Sequence, residues 1–277
     1  MRIFILILFF CFILNSYAQE PEQNLSDFNL SGLNQDGKKS WEILGKSADI
    51  FSNIVKLKEV MAKLYRPDEE IELKAKEAEF DKLNGKLKLK KDVVITTTKG
   101  AKLITDSLDW DRTNQSISTK DKVNIESNSI FAYGLGILAK PDLKKINLEK
   151  NVFVQINSQK QNNPDDKITI TCKGPLEIDY EKNIAVFHNE VKVVHSDIQI
   201  YSDELQVYFS KEKATAPSKE SITKVYALGN VKIIRENNVS FSEEATYLPQ
   251  DKKLLLSGKP KLIIYPEKED LNANSRD

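Results

Sequence analysis

Cysteine is nearly absent from this chain: Cys11 and Cys172 are the only two in 277 residues. Cys11 lies in an apolar run at the N-terminus, so Cys172 has no partner in the remainder and disulfides do not hold the fold together. Cys172 reads as a small buried hydrophobe on a strand. Histidine is as scarce. His188 and His195 flank one strand pattern at a spacing that puts them on opposite faces of the pleat, so they are not placed to share a metal ion. There is no Gly-x-Ser-x-Gly elbow, no phosphate-cradling glycine loop and no Cys-x-x-Cys. These absences lead to the expectation of a protein that is not an enzyme and that uses no metal or cofactor. An excess of one charge is also lacking, because 41 basic and 41 acidic residues cancel. Nothing therefore points to nucleic acid as a partner. No apolar run reaches the roughly 20 residues of a spanning helix. The longest, Ile3 to Leu14, follows Arg2 and precedes Ser16-Tyr17-Ala18, small residues in an A-x-A-like arrangement. Residues 1–18 are expected to be a cleaved secretory signal, which takes the mature chain out of the cytoplasm; a retained inner-membrane anchor is the alternative.

Helical periodicity is missing after residue 66, and in its place apolar residues alternate at period two. Val152, Val154 and Ile156 do so, as do Val191 and Val193, Ile198 and Ile200, Leu205 and Val207, Val231 and Ile233, and Leu254 and Leu256. Such alternation marks half-buried strands. The strands repeat. A charged or polar residue followed by Val recurs as Asp92-Val93, Lys122-Val123, Asn151-Val152, Glu190-Val191 and Asn230-Val231, at spacings of 30, 29, 39 and 40 residues. Polar insertions at 159–166 and 211–221 account for the longer intervals. Gly258-Lys259-Pro260-Lys261-Leu262 echoes Gly229-Asn230-Val231-Lys232-Ile233. A second element, seen as Thr105-Asp106-Ser107-Leu108 and Ser202-Asp203-Glu204-Leu205, precedes turns rich in Asp, Asn, Gly and Pro. The equivalent positions of Asp106 and Asp203 suit a structural carboxylate better than an acid–base pair. A strand-turn-strand unit of this kind cannot bury its apolar face alone and must stack on its neighbours. Ahead of the repeat, Phe28 to Leu33 and Lys39 to Leu44 flank Asn34-Gln35-Asp36-Gly37 as a hairpin. The polar break at 157–166 divides the chain into segments 26–157 and 167–266, followed by a disordered acidic tail at 267–277.

Several segments resemble the OstA-like proteins of periplasmic lipopolysaccharide transport. Asp36-Gly37-Lys38-Lys39-Ser40-Trp41-Glu42-Ile43, Ala78-Glu79-Phe80-Asp81, Gly100 to Leu108 and Ala132-Tyr133-Gly134-Leu135-Gly136 are similar to the LptC type. Tyr201-Ser202-Asp203-Glu204-Leu205, Ala227-Leu228-Gly229-Asn230-Val231 and Leu254 to Pro260 are similar to the LptA type. The family usually keeps these as separate proteins, so a fusion is a departure. The resemblance implies an all-β, elongated and open β-jellyroll, taco-like, with two facing antiparallel sheets. It further implies an apolar trough for the lipid A acyl chains of lipopolysaccharide, for which alternation nominates Val193, Ile200, Val207, Ile233 and Leu256. Open strand edges are expected at Phe28, Leu30 and the hairpin partner carrying Trp41, and at Leu262, Ile263 and Ile264. The implied partners are subunits of the inner-membrane lipopolysaccharide ABC transporter, the outer-membrane lipopolysaccharide assembly protein, and a further copy of the chain head to tail. A secreted β-helix enzyme acting on polysaccharide and a β-repeat surface adhesin are the competing classes.

Overall fold

A computed structural model describes residues 20–66, 69–111, 113–114, 116–127, 129–140, 145–157, 167–210 and 221–265. The expected signal at 1–18, nearly all of both polar insertions and the tail at 267–277 lie outside the described residues. Seventeen strands follow one another, and no α-helix occurs among the described residues. They are β1 (Gln23–Leu33), β2 (Lys39–Ile50), β3 (Ile54–Arg66), β4 (Glu69–Asp81), β5 (Lys86–Thr97) and β6 (Lys102–Asp111). Next come β7 (Ser116–Glu126), β8 (Ile130–Ala139), β9 (Lys145–Asn157), β10 (Lys167–Cys172), β11 (Leu176–Asp179) and β12 (Ile184–His195). The chain closes with β13 (Ile198–Phe209), β14 (Ile222–Arg235), β15 (Asn238–Leu248), β16 (Lys253–Ser257) and β17 (Lys261–Ile263).

Pairing is antiparallel throughout and sequential from β1 to β9. β10 and β11 both pair with β9 and with β12, so together they act as one broken strand. β12 to β15 continue the meander, and β16 and β17 both lie on β15. The sheet is therefore uninterrupted across the polar break at 157–166.

The repeated polar-Val dipeptide is the bend in this sheet. In β5 the register slips between Lys90 and Val93, where Lys91 and Asp92 take φ of 64° and 54°. In β12 it slips between His188 and Val191, at Asn189 and Glu190. In β14 it slips between Leu228 and Val231, at Gly229 and Asn230, with φ of 73° and 48°. One extra residue in a strand bends it and sharpens its twist. The polar residue absorbs the left-handed conformation, which Gly and Asn tolerate best. The valine after it lands on the inside of the bend, where Val93, Val123, Val152, Val191 and Val231 are all buried. Asp27-Phe28 in β1 and Glu59-Val60 in β3 share the positive φ, at Asp27 and Glu59, without a register slip.

The two facing sheets expected from the resemblance are thus two halves of the same strands, one sheet folded along a line of bulges. A lone sheet cannot cover its own face, yet Leu205 on one side of the fold line is 0% exposed and belongs to the same buried cluster as Ile233 on the other. The two walls must pack on each other. Burial divides within the first half: Val60, Leu89, Val93 and Leu108 form one cluster, and a larger one runs from Val123 to Ala245 across β9, β10 and β11.

Candidate functional site

The space between the walls is lined by residues whose register can be followed strand by strand. On one wall a row of directly opposed residues begins at Leu30 and runs Ile43, Ala62, Leu73, Ile95, Leu103. It continues through Ile125, Ala132, Val154 and Ile170 to Val193, Ile200, Ile233, Ser240 and Leu262. Every member but Ser240 is apolar, from the first strand to the last. At about 4.8 Å per strand, fourteen steps make an apolar line of roughly 65 Å. The row exists because each bulge inserts one residue and so keeps the inward parity on both sides of the fold. On the other wall the row Leu148, Leu176, Phe187, Leu205, Ala227, Ala245 and Leu256 faces inward. Val207 lies two residues further along β13.

All five positions nominated from alternation therefore lie on the inner face. Val193, Ile200 and Ile233 share one row; Val207 and Leu256 are on the facing wall. Val207 and Ile233 are buried, and the other three are partly buried against the same cluster. The neighbours Lys192 and Lys232 point the opposite way, each over the outer-face ring of Tyr201.

The fold closes along the bulges and is open at both strand ends of the sheet. At the first edge Leu25 and Leu30 continue the inner rows but are 40% and 51% exposed. At the last, Leu254 and Leu262 do the same at 46% and 60%. Of the two strands considered for the first edge, β1 is the outer one, paired only with β2. Trp41 is not on the edge: β2 is paired with both β1 and β3. Its ring lies across Gly32 of β1, where no Cβ would fit. Phe28 is likewise turned inward over Gly45. At the last edge the Tyr265 N–H turns back to Asn238 Oδ1 at 3.3 Å. Strand alternation then points the Ile263 N–H toward β15 and the Leu262 and Ile264 N–H groups toward the open side. Ile263 is thus part of the internal ladder, and the free donors are those of its neighbours.

Polar groups within the fold hold its shape. Asn230 Nδ2 donates to Asp203 Oδ2 at 2.8 Å, so Asp203 clasps the bulge of the next strand. Lys76 pairs with Asp92 at 2.5 Å and Lys91 with Glu77 at 2.5 Å along the same fold line. In the turns, Asp81 Oδ1 accepts the Leu83 and Asn84 N–H groups, and Asp179 Oδ1 accepts those of Glu181 and Lys182. These backbone donors hold both carboxyls below the usual aspartate range. Burial pushes the Cys172 thiol up, which keeps it protonated and unreactive beside Val152. His188 faces outward with Nδ1 3.3 Å from Glu204, whereas His195 faces inward opposite Ile198. No group of three metal-ligating side chains is found among the described residues. The polar atoms left over on the inner side of the fold line are hydroxyls. Thr105, Ser202 and Ser242 oppose Val93, Val191 and Val231, and their oxygens have no hydrogen-bond partner among the described residues.

A family model described as "Lipopolysaccharide-assembly, LptC-related" matches residues 9–157, and one described as "LptA/(LptD N-terminal domain) LPS transport protein" matches residues 174–274. No curated protein matches the chain at a significant level. No helix among the described residues is long and apolar enough to cross a membrane.

Proposed function

We propose that this chain, which belongs to the LptC-related lipopolysaccharide-assembly family over residues 9–157 and continues as an LptA-type transport unit over 174–274, is a periplasmic carrier rather than an enzyme. It holds the lipid A acyl chains of lipopolysaccharide between its walls and passes them from an inner-membrane ABC transporter toward an outer-membrane assembly protein. The observation that carries this reading is the single inward row from Leu30 to Leu262, apolar at all but one position and exposed at both ends. Each methylene kept out of water is worth about 0.8 kcal/mol. A chain sliding along such a row keeps that gain from strand to strand. Where the walls touch, it enters by exchanging wall-to-wall for wall-to-chain contacts, at little cost in apolar area.

The open ends supply the means of connection. A partner strand added beside β1 or β17 satisfies free backbone groups and brings a second trough into line with the first. Pairing of β9 with β10 and β11 makes one such junction permanent within the chain.

Photo-crosslinkers at positions 193, 200, 207, 233 and 256 are expected to attach to the acyl chains of lipopolysaccharide, while those at 192 and 232 are not. Equal capture by both sets would refute the trough. For the edge, Leu262→Pro removes a donor aimed outward without breaking the ladder to β15. It is expected to abolish crosslinking between β17 and its neighbour while leaving lipid capture intact. Unchanged assembly would rule out pairing at this edge.

A further inference from the structure

We infer that the outer face of one wall in the second half binds an anionic saccharide, namely the phosphorylated or carboxylated sugar headgroup of the lipopolysaccharide proposed above as cargo. The identity of that source rests on the carrier reading; the site itself rests on the following geometry.

Directly behind the long inner row runs an outward row: Tyr133, Phe153, Thr171, Lys192, Tyr201, Lys232, Phe241 and Lys261. The next outward row, from Phe131 through Gln155, Val194, Gln199 and Ile234 to Ile263, carries no charge. From β8 to β17 these two rows hold three lysines and five aromatic rings and not one carboxylate. The chain as a whole is neutral, so such a strip is a local departure. The first half shows the contrast. There the second row reads Glu42, Lys63, Glu72, Thr96, Lys102, Glu126, of mixed sign. Glu42 is paired with Lys39, and Glu72 with Lys63 and Lys74.

In the second half no described carboxylate pairs with Lys192 or Lys232. Both ammonium groups instead approach one ring: Lys192 Nζ is 5.5 Å and Lys232 Nζ 5.9 Å from the Tyr201 centroid. Two like charges held at one ring repel each other, and an anion between them would relieve that repulsion. A surface cavity of about 620 Å³ lies on the Lys232 side of Tyr201, lined by Tyr201, Asn230, Lys232, Phe241 and Lys259, with Glu243 as its one carboxylate. Further along the wall, Tyr133 and Phe153 stack at 4.8 Å with Lys122 over the tyrosine at 5.3 Å. The aromatic row offers apolar contact to the C–H side of sugar rings, and the intervening ammonium groups suit phosphate or carboxylate. An acidic saccharide supplies both along a line. A bilayer would call for a continuous apolar surface, and in this row lysines alternate with the rings.

The test is calorimetric titration of the mature protein with lipopolysaccharide oligosaccharide stripped of its acyl chains, which cannot use the trough. Binding that weakens with added salt is expected. Lys192→Gln and Lys232→Gln should each weaken it about tenfold, and Tyr201→Leu should do the same. Lys224→Gln, at a lysine beside Tyr208 and Tyr226 on the other wall, should not change it. Acyl capture by a crosslinker at position 207 should survive the lysine substitutions. The inference is overturned if the oligosaccharide does not bind at millimolar concentration, if binding survives loss of both lysines, or if neutral dextran or cell-wall glycan fragments bind equally well. Saccharide binding without acyl capture anywhere in the trough would support this site and refute the carrier reading.

Discussion

Replacing Leu205 by Ala tests whether the two walls pack on each other. Leu205 is 0% exposed and sits mid-row between Phe187 and Ala227, with Ala245 beyond. The gap left by Leu205→Ala cannot be closed from the side, because Ala227 and Ala245 are already small. Nor can the backbone collapse into it, since β13 is tied to β12 and β14 by ladders on both sides. The cost should therefore fall in the middle of the Leu→Ala range, about 3–4 kcal/mol. At about 2–4 °C per kcal/mol for a chain of this size, the melting temperature drops by roughly 6–16 °C. Leu262→Ala is the control. That side chain faces the same space but is 60% exposed at the open end, so its loss should change stability by less than about 0.5 kcal/mol. Urea unfolding followed by far-ultraviolet circular dichroism measures both, provided the slope with urea is the same in each. A cost below about 1 kcal/mol for Leu205→Ala, or an equal cost for Leu262→Ala, would mean that the walls do not pack as described.

Three further substitutions or titrations probe the fold line and the turns. Gly229 has φ of +73°, and a Cβ there would meet Asp203 Oδ2, so Gly229→Ala should cost about 1–2 kcal/mol from backbone strain alone; Asp203→Ala in the same chain should recover part of any cost beyond that, and strict additivity would argue against the clash. Ser202→Ala removes a buried hydroxyl without a partner and is expected to raise stability by about 1 kcal/mol, a gain that a loss in thermal unfolding would contradict. Asp81, Asp111 and Asp179 are held below the ordinary aspartate range chiefly by backbone N–H groups of Asn84, Asn114 and Lys182. The folded state then binds these protons less tightly than the unfolded one, so their stabilisation is complete above about pH 4 and drains away as the pH falls through the lower folded values. Carboxyl titration by NMR that placed any of the three at or above the ordinary value would refute this.

Much of this protein is legible one strand at a time. Alternation marks Val193, Ile200 and Ile233 as sharing a face because the side-chain period of a strand is set locally by the pleat. Turn carboxylates at Asp81 and Asp179 are legible for the same reason, since their partners are two or three residues away. The polar-Val repeat is also visible, and Glu59-Val60 extends it one unit earlier, 33 residues before Asp92-Val93. Asp27-Phe28 breaks the pattern by replacing valine with a ring that fits over Gly45. What the repeat means is not visible in it. A bulge is a backbone conformation, and Asn151 or Asn230 as letters do not state a positive φ.

The sequence by itself determined the all-β class, the alternation within strands, the position of the turns and the likeness to lipopolysaccharide-transport proteins. Only the tertiary structure decided which strand is outermost, so that β1 rather than the strand of Trp41 is the edge, and which way the Ile263 N–H points. It alone placed the division in the buried core near β6 and β7, away from the polar break at 157–166. It alone joined Leu30 to Leu262 through one row, and set Lys192 and Lys232 on either side of Tyr201. The physical reason is common to all of these. Local preference fixes how a strand alternates, but the register between strands is the accumulated result of every turn and bulge between them, and one residue more or less in any of these would turn the row to the other face.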